Sequence, residues 1–290
     1  MGDDYEATVR RKAEGLQRKD FRTLEAAVIE KRLRWCQDSL ELPTGVSVTP
    51  RLGYETLLFG YLGLTESDVP VVSESDTNIT WLSHNRCPTL DACARLGLST
   101  SVVCRAVYEK PTQVLLSQID PELRFVRDYG ELRPDHHHCK EMIVRLDFGG
   151  MMRLAIDEAE KSIETGNKGY GAVVAIGERV LGVAYDTVAI ERDPSLHAEV
   201  NAIRKAVKVY GDTDLCGAVL FSTCEPCPMC TALAVWANVT TIVFGASIEQ
   251  TAQLGKSRIR VNATEIVSRS LGWTEVIGGV LAEQSLDLYR

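Results

Sequence analysis

A chain of 290 residues, 45% hydrophobic and 25% charged, has material for one large or two ordinary domains and contains no low-complexity tract. No apolar run approaches the roughly 20 residues of a membrane helix. The charged start MGDDYEATVRRKAEGLQRKD argues against a secretory signal, so a cytoplasmic protein with no membrane partner is expected. The net charge of −8, from 32 basic and 40 acidic residues, argues against nucleic acid as a partner. Phosphate binding wants a basic stripe, and the densest basic stretches, IRKAVK at 203–208 and GKSRIR at 255–260, hold three cations each. Nine cysteines are an odd count in a long chain, which favours metal binding or catalysis over a disulfide framework.

In chain order, residues 3 to about 40 read as helical, and LPTGVSVTP breaks the pattern. YETLLFGYLGL is a short apolar element, and VPVVSESDTNITWLSHN reads as extended. A helix starts at the proline of RCPTLDACARLG and stops at Gly97. LRFVRDYG and CKEMIVRLDF pair as strands across ELRPDHHH. These elements describe an α+β domain over residues 1–147, with LDFGG as the boundary. From 148 to 290 the rhythm changes. A helix in MMRLAIDEAEKSIETG precedes a hairpin, YGAVVAIGERVLGVAYD, that turns at GER. Then come the amphipathic helix HAEVNAIRKAVKVYG, the strand GAVLFST, the helix CPMCTALAVWAN and the strand TTIVFGA. A fifth strand, TEVIGGVL, and a closing helix, AEQSLDLYR, follow. Helices alternating with apolar strands predict a layered α/β domain around a largely buried sheet.

The stretch STCEPCPMC concentrates the chemistry. Cys227 and Cys230 have the C-x-x-C spacing, and a helix beginning at Pro226 would hold both in its first turn, where free backbone N–H groups favour thiolates. A catalytic zinc uses three protein ligands and keeps one position open. Upstream, His197 opens a predicted helix and Glu199 follows two residues later. His-x-Glu followed about thirty residues on by Pro-Cys-x-x-Cys is the joint signature of zinc deaminases. A closed structural site that also recruits Cys224 is the bland alternative, and a thioredoxin-like redox pair is another.

Residues 150 to 290 resemble the cytidine-deaminase-like superfamily, in the branch of guanine deaminases and tRNA adenosine deaminases. The resemblance rests on YGAVVA, DPSLHAEVNAIRKA, STCEPCPMC and TIVFGA. It implies a three-layer α/β/α domain with a mixed five-stranded sheet, preceded here by a smaller α+β domain. It also implies Zn²⁺ held by His197, Cys227 and Cys230, proton transfer by Glu199, and a homodimer. Cys224 and Cys216 then stand outside the site. Ala198, Trp236 and Gln250 are the implied substrate contacts, though Trp236 is equally readable as core packing. Asp186 occupies a position where the family usually has an Asn. A carboxylate only accepts hydrogen bonds, so a pocket-facing Asp186 favours a substrate presenting N–H groups over guanine; a solvent-facing Asp186 has no such consequence. The expected activity is hydrolytic deamination of a small amino-substituted heterocycle such as a purine, pterin or triazine. The alternatives are a tRNA adenosine deaminase and a non-catalytic zinc-stabilised module.

In the first domain, SHNRCPTLDACARLG, VVCRAVYEK and LRFVRDYGELRPDHHHC resemble L-2-amino-thiazoline-4-carboxylate hydrolase-like domains. Cys87, at a helix start, is the thiol to watch there, with simple packing as the alternative. The histidines of HHHC cannot share one face of a strand and read as a solvated turn.

Overall fold

The computed structural model describes residues 2–17, 20–42, 47–256, 259–270 and 274–290. The chain divides into two compact units, Met1–Leu146 and Asp147–Arg290, nearly equal in length. The first is therefore not the smaller domain expected. Among the described residues no helix is long and apolar enough to cross a membrane.

In the first unit the expected N-terminal helical run is two helices, α1 (Gly2–Gln17) and α2 (Phe21–Ser39). The Asp20 carboxylate starts α2 by accepting the Thr23 amide. Residues 43–46 of the LPTGVSVTP break lie outside the described residues. The apolar element after it is helical: α3 (Pro50–Glu55) runs into a π-helical turn at Thr56–Tyr61. Next come β1 (Val71–Glu74) and β2 (Asn78–Ser83), then α4 (Pro88–Leu96), which ends at the left-handed Gly97. The helices α5 (Thr100–Cys104) and α6 (Lys110–Ser117) follow. They precede β3 (Leu123–Asp128) and β4 (Cys139–Arg145), which pair antiparallel as the sequence predicts. The sheet order is β1-β2-β4-β3, with Tyr54, Trp81, Leu115, Phe125 and Ile143 in its core. His136 and His137 are exposed in the turn between β3 and β4.

The second unit begins with α7 (Phe148–Glu164), whose first turn is capped by Asp147 accepting the Gly150 amide at 2.8 Å. The hairpin β5 (Gly171–Ile176) and β6 (Arg179–Tyr185) follows, with the short α8 (Val188–Glu191) and then α9 (Ala198–Tyr210). Strand β7 (Ala218–Cys224) leads to α10 (Pro228–Trp236), and β8 (Thr241–Ala246) leads to α11 (Ile248–Gln253) and α12 (Ala263–Ser268). The chain closes with β9 (Glu275–Gly278) and α13 (Ala282–Asp287). The five strands form one mixed sheet, β6-β5-β7-β8-β9; β5 is antiparallel to both neighbours, and β7, β8 and β9 are parallel.

Strand period decides the layers. Ala172, Val174, Leu220 and Ile242 face α9 and α10, packing on Ala198, Ala202, Ala206 and Ala234. Phe221, one residue along β7, points to the other side and meets Phe148 of α7, with ring centroids 5.3 Å apart. Glycine sets how closely the layers approach: a Cβ at Gly171 would overlap the Ala155 carbonyl of α7, and one at Gly182 the Ala202 carbonyl of α9. The second unit is thus the three-layer α/β/α domain with a mixed five-stranded sheet. One boundary differs from expectation. Helix α10 starts at Pro228, not Pro226, because the residue before a proline is driven out of the helical region and Cys227 sits at φ −63°, ψ 167°.

Candidate active site

Two helix N-termini meet on one side of the sheet. His197 is the N-cap residue of α9 and Cys227 that of α10, both extended, so their side chains leave the helices near the free N–H groups. Cys230 lies in the first turn of α10 and is fully buried. The loop leading into His197 is tied down by Asn201, whose amide donates to the carbonyls of Tyr185 at 3.0 Å and Leu196 at 3.3 Å and to the Thr187 hydroxyl at 3.1 Å.

These elements bring together three donor atoms. Cys227 Sγ and Cys230 Sγ are 3.7 Å apart, and His197 Nδ1 stands 3.7 Å from the first and 3.5 Å from the second. Sulfur ligands at about 2.3 Å and nitrogen at about 2.0 Å around a tetrahedral metal are separated by roughly 3.5–3.8 Å. The donor set and its spacing therefore fit zinc, with three protein ligands and room for a fourth. Among the described residues this trio is the one group of His, Cys, Asp or Glu side chains close enough to share a metal.

The charges around the trio are mutually dependent. The Cys227 thiol is pulled down to about 4, chiefly by the Cys230 hydrogen bond and also by His197, while Cys230 is pushed up by that same bond and by burial. His197 is raised, first by its bond to Cys227. Glu199, in the first turn of α9, is 6% exposed, and burial raises its carboxyl, with the nearby Cys227 adding to the effect. A carboxyl in that environment holds a proton more readily than one in water.

Cys224 is left out of the trio. It ends β7 with its Sγ 3.7 Å from the Thr251 hydroxyl, and burial pushes its thiol up to about 12. Cys216 is buried ahead of β7.

The remaining expected contacts fall in different places. Ala198 is fully buried behind His197. Asp186 is 2% exposed, so the solvent-facing alternative fails. Its Oδ1 accepts the Val188 amide at 3.2 Å, and Oδ2 has no protein partner among the described residues. Burial raises its carboxyl, which also feels the charge of His197. Gln250 uses its amide oxygen to accept the Ser247 N–H at 2.8 Å in the capping box of α11, which commits that atom to the helix start. Trp236 is 87% exposed at the end of α10, which overturns the core-packing reading.

Two contributors escaped the sequence reading. Glu225, inside STCEPCPMC, is buried and accepts the amides of Ile248 at 3.0 Å and Ala263 at 2.8 Å, binding the start of α11 and of α12 to the cysteine loop. Its signal was a carboxylate in an otherwise apolar and thiol-rich segment. Burial pushes the Tyr170 hydroxyl up, with Glu199 and Asp186 adding to the effect, and its ring lies tilted on that of Tyr289 with centroids 5.1 Å apart. Tyr289 in turn donates to the Thr223 hydroxyl at 2.9 Å. The closing segment carried no pattern that tied it to the site.

The profile of the cytidine and deoxycytidylate deaminase zinc-binding region matches residues 149–246. Guanine deaminase of Bacillus subtilis is 34% identical over 105 residues, covering 36% of this chain and 67% of that protein. The tRNA-specific adenosine deaminase of the same species is 36% identical over 133 residues, covering 46% of this chain and 80% of that protein. An X-ray structure of the B. subtilis guanine deaminase aligns at 31% identity over 39% of this chain and 72% of that one, with a TM-score of 0.37. With the zinc-binding region matched, its donor set assembled at zinc spacing and both deaminases covered over two thirds or more of their length, the chain belongs to the cytidine/deoxycytidylate deaminase-like family.

Proposed function

We propose that the second unit is a hydrolytic aminohydrolase that releases ammonia from a small amino-substituted nitrogen heterocycle, with His197, Cys227 and Cys230 as the zinc ligands. The observation that carries this reading is the trio at 3.5–3.7 Å beside the buried Glu199. His197, Cys227 and Cys230 would hold zinc, which would supply Lewis-acid chemistry to activate water. Glu199 accepts the first proton of the attacking water and delivers it to a ring nitrogen, then takes the second from the added hydroxyl and delivers it to the amine, which departs as ammonia. Burial suits it to both steps, because a carboxyl with a raised pKa returns a proton as readily as it takes one. Asp186 offers Oδ2 to an N–H edge of the substrate while Oδ1 stays with Val188.

A second reading, deamination of an adenosine in tRNA, is favoured by the 36% identity to a tRNA-specific adenosine deaminase. Ammonia release measured on a panel of free bases and on tRNA separates the two. The leading reading expects turnover of a free heterocycle; turnover of tRNA alone replaces it, and none on either substrate leaves a zinc-stabilised module. Metal analysis tests the ligand set independently. About one zinc per chain is expected, lost in His197→Ala, Cys227→Ala and Cys230→Ala and kept in Cys224→Ser. Zinc loss in a folded Cys224→Ser protein moves the site to the closed, structural reading.

The active unit is further proposed to be a homodimer. Met229 and Trp236, seven residues apart on one side of α10, are 39% and 87% exposed, an apolar pair that a second copy would cover.

A further inference from the structure

The first unit contains a cavity of about 530 Å³, within the range of small-molecule sites. Aromatic and aliphatic side chains, Trp81 and Phe125 among them, make much of its wall, together with six cationic side chains and one carboxylate, Glu141. On a chain whose net charge is −8, that local excess runs against the average.

The one carboxylate is fully used. Glu141 Oε1 accepts from Arg127 Nε at 2.9 Å and Nη2 at 2.6 Å; Oε2 accepts from the Trp81 indole at 3.2 Å and the Ser83 hydroxyl at 2.7 Å. Glu141 therefore neutralises Arg127 and has no acceptor left for another cation. Arg32, on α2, is 6% exposed and lines the same cavity. One of its terminal nitrogens donates to the Thr112 hydroxyl at 2.6 Å, its guanidinium lies 5.3 Å from the Tyr61 ring centroid, and its Nε has no partner. Among the described residues no carboxylate is paired with it. Arginine does not escape by losing its proton, so a buried guanidinium without a counter-ion is costly. Burial acts most strongly against its charge and the Tyr61 hydroxyl offsets part of that, while Arg127 adds repulsion; the balance still disfavours the charged form. The Thr112 hydroxyl that accepts from Arg32 donates in turn to the Tyr108 carbonyl at 2.8 Å, so it keeps a partner when Arg32 is replaced.

We propose that this cavity binds a small organic carboxylate, its anionic end neutralising Arg32 and its apolar body packing against Trp81 and Phe125. A monoanion matches Arg32, the buried guanidinium of this wall with no carboxylate partner among the described residues, and the aromatic wall accounts for the rest of the ligand. Cys87, the N-cap residue of α4, is half-buried in the same wall, so its alkylation reports occupancy.

The test is calorimetric titration of the full chain with sodium benzoate, the neutral isostere benzamide, and inorganic phosphate, at constant ionic strength. Benzoate alone is expected to bind. At tenfold above its Kd it should slow iodoacetamide labelling of Cys87, read by peptide mass spectrometry, about tenfold. Arg32→Met is expected to fold with a Tm at or above that of the wild type and to bind benzoate at least about tenfold more weakly. Should Arg32→Met not fold, Arg32→Gln must show the same loss of binding. The proposal is overturned by no heat from benzoate, by equal binding of benzamide, by phosphate binding in its place, by unchanged Cys87 labelling, or by unchanged benzoate affinity in the folded Arg32 variant.

Discussion

A carboxylate at position 186 differs from an amide in one respect that matters for a substrate: it accepts hydrogen bonds and never donates. Asp186 is buried, with one oxygen committed to the Val188 amide and the other without a protein partner among the described residues. Changing it to Asn keeps the volume and the Val188 contact and turns the second oxygen into a donor. The native heterocycle should then lose about 1.5–3 kcal/mol of interaction, roughly a 10- to 150-fold fall in kcat/KM, while guanine improves. Steady-state kinetics of Asp186→Asn on both compounds decides this, and unchanged values for both remove Asp186 from the pocket. Glu199→Gln preserves shape and burial but removes the group that carries the proton. It is expected to keep its zinc and lose about 10²–10⁴-fold in turnover. Metal content and rate measured on the same sample check it, and near-normal turnover removes Glu199 from the mechanism.

At the scale of elements, the site depends on where helices begin. Proline at 228 forces Cys227 out of the helix into the N-cap position, and the start of α9 does the same for His197, so two short loops aim the metal donors at each other. Glu225 extends this order to the next layer by accepting amides at the start of α11 and α12. Glu225→Ala should leave both amides buried without an acceptor and lower stability by about 2–4 kcal/mol, with zinc retained at low temperature. Thermal unfolding followed together with zinc content tests it; an unchanged Tm means that the loop holds without the carboxylate. The sequence reading found the helix beginnings from Pro and Gly and the strands from apolar runs. It missed α11 and α12, which are six residues each, too short to display a helical period.

For the whole molecule, the proposed homodimer places a second copy over the exposed α10 side. Sedimentation should show twice the chain mass of 32.0 kDa, and Trp236→Lys should shift the population to monomer while the protein stays folded and zinc-bound. A monomeric wild type at micromolar concentration ends that proposal. The benzoate site of the first unit is read out separately from ammonia release, so the failure of either leaves the other standing.

Much of the second unit was legible because its signals are local. Buried strands such as AVLFSTC are apolar whatever surrounds them, Gly97 and Gly211 end helices by their own backbone freedom, and His-x-Glu with Pro-Cys-x-x-Cys fixes both the ligand types and their spacing. The three-layer domain and its zinc chemistry follow from those signals. Other features depend on what a side chain meets after folding, and spacing does not carry that. Tertiary structure alone decided that Asp186 is buried, that Trp236 is exposed, that Gln250 caps a helix, and that Glu225 and Tyr289 support the site from outside the motif. The same holds for Arg32. In sequence it is one of many charges on an amphipathic helix, and only the packing of the first unit leaves its guanidinium in a cavity whose one carboxylate, Glu141, is spent on Arg127.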